Sequence, residues 1–236
     1  MKKILLYSGG SDSWLIDKLW RPDEKVYVDM KTRYSSDEIK KLDKSVNIIE
    51  FPLGKYERDD AIIPLRNLYL PMVICNEYPN EDLDICLGAT AGDRVLDKSY
   101  VFADSASALL TYLYSPQHWI PKGRRIHINI DFKKYTKTQL LKMYIEQGGN
   151  IETAFNSSFS CYEPNNGKEC WHCKPCFRKF VSFALNGMKF NKEIVETVIS
   201  YINSEILPDI LNGTYGRAQE EKEIMQVLQL YKNGEL

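Results

Sequence analysis

The chain has 236 residues, of which 44% are hydrophobic and 27% are charged, an ordinary globular composition with enough apolar material to bury a core. The formal net charge of −1 excludes bulk electrostatic attraction to nucleic acid. No apolar run is long enough for a secretory signal or a membrane span, so we expect a cytoplasmic protein with no membrane partner and six reduced cysteines.

Five short apolar segments predict β-strands, and amphipathic segments between them predict helices. The strands are expected at residues 2–7, 25–30, 46–52, 84–88 and 126–130. The helices are expected at residues 12–20, 35–44, 66–78, 104–114 and 136–147. This alternation is typical of an α/β fold with a parallel sheet and helices on both faces, in which ligands bind at the carboxyl ends of the strands.

The pattern changes after residue 150. A cysteine-rich segment comes first, and the rest of the chain has helical periodicity alone, interrupted at Pro208 and Gly213. We therefore predict two domains: an α/β core at residues 1–150 and a smaller, helical and metal-bearing module at residues 151–236.

The first strand runs into a glycine-rich turn, YSGGSDS, at residues 7–13. Backbone N–H groups in such a turn, together with the start of the next helix, form a concave site for phosphate oxygens. The lysine of the Walker motif and the G-x-G-x-x-G dinucleotide fingerprint are both absent. The alternative to a phosphate loop is a turn in which Ser11 or Asp12 merely caps the helix. Asp12 is also a candidate oxygen ligand for Mg²⁺.

Four cysteines follow one another with the spacing C-x8-C-x2-C-x2-C. They are Cys161, Cys170, Cys173 and Cys176. Four thiols so close together in a cytoplasmic chain predict a closed tetrahedral site with one structural Zn²⁺ per chain. An iron–sulfur cluster is the alternative, and His172 could substitute for one ligand. Cys75 and Cys86 lie in apolar runs and are predicted to be core residues.

Taken together, the loop and the cysteines resemble the 7-cyano-7-deazaguanine synthase (QueC-like) family of N-type ATP pyrophosphatases, the PP-loop enzymes. Four further segments are similar to family motifs: IIPLRNLYL at 62–70, LGATAGDR at 87–94, YTKTQLLKMYIEQG at 135–148 and TAFNSSFSCYEP at 153–164. The resemblance covers residues 1–190. It implies a Rossmann-like (HUP-type) sheet with helices on both faces and a C-terminal zinc-bearing helical module.

The resemblance also implies a reaction. An ATP-dependent carbon–nitrogen ligase of this type, working with Mg²⁺, adenylates the carboxylate of 7-carboxy-7-deazaguanine and releases pyrophosphate. Ammonia then displaces AMP to give an amide. A second activation dehydrates the amide to the nitrile of 7-cyano-7-deazaguanine (preQ0), a precursor in queuosine biosynthesis.

Candidate site residues follow from the matched motifs. The implied ATP contacts are Tyr7, Ser8, Gly9, Gly10, Ser11, Asp12, Ser13 and Arg66. The implied catalytic residues are Asp12, Ser13 and Lys137. The implied substrate contacts are Arg33, Asp93 and Asp104. Four of these have structural alternatives. Arg66 could pair with Asp59 or Asp60, Asp93 and Asp104 could each cap a helix, and Lys137 could lie on an exposed helix face.

Some positions depart from the family pattern. MKTRY at 30–34 keeps only Arg33 of a tyrosine-glycine-glutamine-arginine run, and Trp171 stands where the family usually has glycine. YVFADSAS at 100–107 keeps only Asp104 of the run that contacts the base. Because the altered residues belong to the substrate wall, the same chemistry on another carboxylate, such as a protein terminus in phage or antiviral gene clusters, is an alternative. A degenerate nucleotide-binding module is another.

The expected partners follow from the implied reaction. They are a small-molecule carboxylate and ammonia, with a protein substrate as the alternative and a homodimer as a possible assembly. Nucleic acid is disfavoured as a partner because phosphate contacts dominate such affinity and the chain carries no net positive charge.

Overall fold

The computed structural model describes residues 1–236, and five strands form one parallel sheet. The strands are β1 (Lys2–Leu6), β2 (Glu24–Asp29), β3 (Asn47–Glu50), β4 (Leu83–Cys86) and β5 (Ile126–Asn129). Their order across the sheet is β3-β2-β1-β4-β5, and every neighbouring pair is parallel. All five predicted strands and the Rossmann-like α/β class are confirmed. From β1 the chain first adds β2 and β3 on one side of the sheet and then returns to add β4 and β5 on the other side. The order of strands therefore reverses between β1 and β4, the position where open sheets of this kind bind ligands.

Ten α-helices accompany the sheet. They are α1 (Ser11–Trp20), α2 (Ser35–Ile39), α3 (Arg66–Glu77), α4 (Tyr100–Leu113), α5 (Lys137–Glu146), α6 (Ile151–Asn156), α7 (Lys174–Ala184), α8 (Lys192–Tyr201), α9 (Leu207–Leu211) and α10 (Ala218–Lys232). Two predicted boundaries are wrong: α2 is shorter than residues 35–44, and α4 begins four residues before the predicted start. In α4 the Ser99 side chain accepts the N–H of Phe102, so Ser99 is the cap and Asp104 is not.

The helices and the sheet sort into two compact units. One unit comprises residues 1–8, 20–89 and 93–133, and it contains the whole sheet with α2, α3 and α4. The other comprises residues 9–19, 90–92 and 134–236, and it contains most of α1 and helices α5 to α10. Because these units interleave along the chain, the proposed domain boundary at residue 150 stays a prediction.

The core of the sheet unit consists of the strands and the inner faces of α3 and α4. Ile4, Ile85 and Ile128 from three neighbouring strands are almost fully buried. Such continuous apolar strands are typical of parallel sheets covered on both faces. Cys75 and Cys86 are buried in this unit, as predicted, and burial raises the pKa of the Cys75 thiol to about 11.

The core of the second unit is built from three helices. Phe177 and Phe180 of α7 pack with Val198 of α8 and with Ile224 and Val227 of α10, and all five are buried. None of the helices combines the length and the apolar character that crossing a lipid bilayer would require.

A buried glutamate in the sheet unit gives a pH-dependent stability. The Tyr27 hydroxyl donates a 2.7 Å hydrogen bond to Glu38 Oε2, but burial is the larger effect and raises the pKa of Glu38 from 4.5 to about 7. Between these two values the folded protein keeps a proton that the unfolded chain releases. The stability present at low pH is therefore lost as pH rises through this window.

We expect Glu38→Gln to remove this loss. The free energy of unfolding is measured in urea at pH 5 and at pH 8. Between these two pH values it should fall by up to about 3 kcal/mol more in the wild type than in the variant. The control is Glu193→Gln on the exposed surface of α8, which should behave as wild type. An equal pH dependence in wild type and Glu38→Gln would contradict the assignment.

Candidate functional site

The glycine-rich loop follows β1 directly and leads into α1. Gly9 has a φ of +74°, a conformation that glycine adopts at little cost. The N–H of Trp14 donates to the carbonyl of Gly10 over 2.9 Å, and the Ser13 hydroxyl donates to the same carbonyl over 3.1 Å. Helix α1 therefore begins at Ser11, immediately after the two glycines. Before them, Tyr7 is buried and its N–H donates to Val26 of β2.

Asp12 and Lys137, predicted separately from distant motifs, form an ion pair. Lys137 Nζ lies 2.6 Å from Asp12 Oδ2 and 3.4 Å from the hydroxyl of Ser11. The second carboxylate oxygen, Asp12 Oδ1, is buried and has no hydrogen-bond partner. A buried carboxylate oxygen without a partner is unfavourable unless a cation or donor meets it. This residue set therefore fits a bound Mg²⁺ nucleotide, with Asp12 offering an oxygen ligand and Lys137 a positive charge.

Lys137 occupies the first turn of α5, and that turn is tightly defined. Thr136 is the N-cap: its hydroxyl accepts the N–H of Gln139 over 3.2 Å, and the Gln139 side chain accepts the N–H of Thr136 over 2.9 Å. This reciprocal capping box fixes where the helix starts. The direction in which Lys137 leaves the backbone is fixed with it.

Ser160 ties the loop to the cysteine-rich segment. Its hydroxyl accepts the N–H of Ser11 over 3.1 Å, and the neighbouring N–H of Phe159 donates to Gly9 over 2.9 Å. On its other side, the N–H of Ser160 donates to Glu169 over 2.7 Å and its carbonyl accepts from Cys176 Sγ over 3.1 Å. One residue thus connects the start of α1 with two residues of the cysteine-rich segment.

Lys179 is a buried cation beneath this connection. Its ammonium donates to the carbonyls of Ser158 and Phe155 over 2.6 and 3.0 Å, and it pairs with Glu169 over 3.0 Å. Burial lowers the pKa of Lys179 and raises the pKa of Glu169, which favours the neutral form of each side chain. The attraction between the two charges opposes both shifts. Removal of either partner would leave an uncompensated buried charge.

The four predicted cysteines converge on one point. The four Sγ atoms lie within 4.8 Å of one another, and three of the side chains are buried. Sulfur atoms around a single Zn²⁺ with bonds of about 2.3 Å lie about 4 Å apart. An iron–sulfur cluster holds its thiolates farther apart because iron and sulfide atoms lie between them. The cluster could therefore hold one zinc ion.

The four thiols differ in acidity. Hydrogen bonds from Cys161 and Cys176 lower the pKa of the Cys173 thiol, whereas the pKa values of the other three thiols are raised. His172 does not join the cluster. Its Nδ1 lies 2.7 Å from the carbonyl of Cys170, and its ring is largely exposed beside Glu163.

Trp171 adopts a left-handed backbone conformation within the cluster, with φ of +63°. This conformation is unfavourable for a residue with a Cβ, which explains why glycine suits the position. The indole compensates through packing. It stacks on Phe155 at a centroid distance of 6.0 Å and meets Phe190 edge-on, also at 6.0 Å.

Two predicted arginines have different environments. The Arg33 guanidinium pairs with Glu57 at 3.2 Å and donates to the carbonyls of Arg58 and Asp59, so it already orders the loop around residue 58. Arg66 pairs with neither Asp59 nor Asp60, because Asp60 pairs with Arg58 instead. Its charge acts on Glu38, whose pKa it lowers against burial.

The two predicted substrate aspartates also differ. Asp93 pairs with Lys98 at 3.1 Å, and Lys133 donates to the Asp93 carbonyl over 2.7 Å. Sequence reasoning missed both lysines, which have no motif of their own. Asp104 lies on the exposed face of α4, one turn into the helix.

Comparison with known proteins bears on these sites. The model of the family described as queuosine biosynthesis protein QueC matches residues 24–187, well over half of the chain. The chain belongs to the QueC family. The match contains the four cysteines and Lys137, whereas the loop at residues 7–13 and helices α8 to α10 lie outside it.

One curated protein shows a more distant similarity to this chain. The chain is 23% identical over 130 residues to 7-cyano-7-deazaguanine synthase of Sulfolobus acidocaldarius. The alignment covers 54% of this chain and 26% of that protein, so the chain spans about a quarter of the length of the synthase it matches.

Sequence reasoning missed Ser160, Glu169 and Lys179, although each carried a weak signal. Ser160 directly precedes the first cysteine of a recognised motif. Lys179 interrupts the apolar run FRKFVSF in a helix, a pattern that favours a buried and compensated charge. Glu169 has no such signal, because an isolated glutamate in a polar loop is usually solvated.

The cysteine cluster gives a metal-dependent prediction. Cys173→Ser should abolish the binding of one zinc ion per chain and lower the melting temperature, because the metal contributes directly to folding. Metal content by plasma mass spectrometry and thermal unfolding measure the two effects. Cys75→Ala is the matched control, since Cys75 is a buried core cysteine outside the cluster and should leave the zinc content unchanged. A folded, metal-free wild type with four titratable thiols would be incompatible with a zinc site.

Proposed function

We propose that this QueC-family protein is an ATP-dependent carbon–nitrogen ligase that adenylates a carboxylate, releases pyrophosphate and AMP, and transfers ammonia. The observation that carries this proposal is the Asp12–Lys137 pair at the start of α1, with its buried and unpartnered Asp12 oxygen. Membership of the QueC family favours 7-carboxy-7-deazaguanine as the carboxylate and 7-cyano-7-deazaguanine as the product.

The residues have distinct roles in this proposal. The loop at residues 7–13 surrounds the phosphates, and the positive end of the α1 dipole favours their negative charge. Lys137 approaches the phosphates as a point charge, and Asp12 would hold Mg²⁺ through its unpartnered oxygen. Ser13 offers a further contact to the nucleotide. When bound, Mg²⁺ neutralises the charge that develops on the leaving pyrophosphate.

The bond changes follow from adenylate chemistry. A carboxylate oxygen of the substrate attacks the α-phosphorus of ATP, and the bond to the bridging oxygen of the β-phosphate breaks. Ammonia attacks the acyl carbon, AMP leaves, and a proton is released. The amide oxygen then attacks the α-phosphorus of a second ATP and pyrophosphate leaves again; loss of AMP and of both amide N–H protons gives the nitrile. Lys137 stabilises negative charge in each activation.

A related ligase that acts on another carboxylate, such as a protein terminus, is the second candidate. The environments of the predicted substrate residues favour it. Arg33 is already engaged with Glu57 and two loop carbonyls, and Asp104 lies on an exposed helix face. A substrate wall built from other residues would select another acceptor while keeping the nucleotide chemistry.

The nucleotide products test the reaction class. We expect AMP and pyrophosphate, because the loop lacks the Walker lysine and matches the PP-loop pattern. Chromatography of the nucleotides after incubation with Mg-ATP, ammonia and 7-carboxy-7-deazaguanine identifies them, and mass spectrometry identifies the organic product. ADP as the main product would contradict the mechanism. AMP formed only with a peptide carboxylate would select the second candidate.

A single substitution tests the role of Asp12. Asp12→Asn keeps the shape of the side chain but removes the charge that faces Lys137, so turnover should fall by about a hundredfold or more. The melting temperature should change little, because the side chain is partly exposed in the first turn of α1. Asp37→Asn, which breaks an exposed ion pair on α2, is the control and should retain activity. Full activity in Asp12→Asn would remove this residue from the site.

A further inference from the structure

We propose that Glu223, on the C-terminal helix α10, is a positioning residue for Lys137. The proposal rests on the proposed function, in which Lys137 acts on the nucleotide. It adds to the proposed nucleotide-binding residues a residue on a helix that lies outside the part of the chain matched by the QueC family model.

Glu223 binds the residues on both sides of Lys137. Its Oε1 accepts the hydroxyl of Thr136 over 2.5 Å, and its Oε2 accepts the hydroxyl of Thr138 over 2.8 Å. Hydrogen bonds to a charged group are stronger than those between neutral groups. The first turn of α5 is therefore held by one carboxylate at two points, with Lys137 between them.

The bond to Thr136 acts on the helix cap itself. The Thr136 hydroxyl has one proton, which it donates to Glu223, and this leaves its lone pairs for the N–H of Gln139. The same carboxylate therefore fixes the rotamer of the cap and the start of α5. Because Lys137 is the first residue of α5, a change in the cap would alter the path of its side chain.

Electrostatics favour an anion at this place. The N-terminus of a helix carries a positive partial charge, so Lys137 in the first turn is unfavourable by itself. A carboxylate beside that turn offsets this cost. Burial raises the pKa of Glu223, and the hydrogen bonds from Thr136 and Thr138 oppose that rise.

Helix α10 is anchored firmly enough to position another residue. Ile224 and Val227 are fully buried in the helical core. Glu220, one turn before Glu223, forms an ion pair with Arg178 of α7. It also approaches Gly92 so closely that a Cβ at Gly92 would lie 2.9 Å from Glu220 Oε2. These contacts fix the register of α10 and with it the place of Glu223.

The test compares nucleotide affinity among matched variants of the full chain. Calorimetry with Mg²⁺ and α,β-methylene-ATP, which cannot release pyrophosphate, gives the dissociation constant. Glu223→Gln and Thr138→Val should each weaken binding by about tenfold, since each loses one charged hydrogen bond beside Lys137. Thr138→Ser keeps the hydroxyl and should bind as wild type. Gln226→Ala, an exposed substitution on the same helix, should also bind as wild type.

A second comparison separates positioning from general stability. In a Lys137→Met background, Glu223→Gln should cause no further loss of affinity, because Glu223 acts through Lys137. An additional tenfold loss in that background, or wild-type affinity in Glu223→Gln, would overturn the inference while the proposed function stands. If the wild type itself fails to bind the analogue, the proposed function fails and the inference fails with it.

Discussion

The candidate site of the second compact unit depends on the hydrogen bonds of one residue, Ser160. Its hydroxyl holds the N–H of Ser11 at the start of α1, while its own N–H and carbonyl bind Glu169 and Cys176. Backbone groups buried in a loop must find partners, and here the loop and the cysteine-rich segment satisfy each other. Order in the cysteine cluster and order in the glycine-rich loop are therefore coupled physically.

Buried charges recur throughout this unit, and each is compensated by a specific partner. Lys179 pairs with Glu169, Arg178 pairs with Glu220, and Glu223 accepts two threonine hydroxyls. Such groups add little net stability compared with apolar residues, but they allow few alternative arrangements because an unpaired member is costly. They suit a site in which a lysine and an aspartate must be held at fixed positions.

The unpaired oxygen of Asp12 stands apart from this pattern. Asp12 pairs with Lys137 through Oδ2, but its buried Oδ1 has no hydrogen-bond partner, as is also true of Arg217 Nε and the Tyr215 hydroxyl in the same unit. A buried polar atom without a partner needs an explanation, and a bound cation would supply one at Asp12. The cysteine cluster differs, because the thiols of Cys170 and Cys176 contact each other and the Cys176 thiol also donates to the carbonyl of Ser160.

The sequence by itself determined the five strands, the α/β class, the glycine-rich turn after β1 and the grouping of four cysteines that could hold a metal. Each of these is recorded locally, in hydrophobic periodicity, in turn chemistry or in short spacing. It could not determine that Ser99 caps α4, or that Ser160 and Glu223 support the candidate site. Only the tertiary structure decided these, because Ser11 and Ser160, or Thr138 and Glu223, are far apart along the chain. Which of many serines and glutamates meets a given partner depends on packing, which no local pattern encodes.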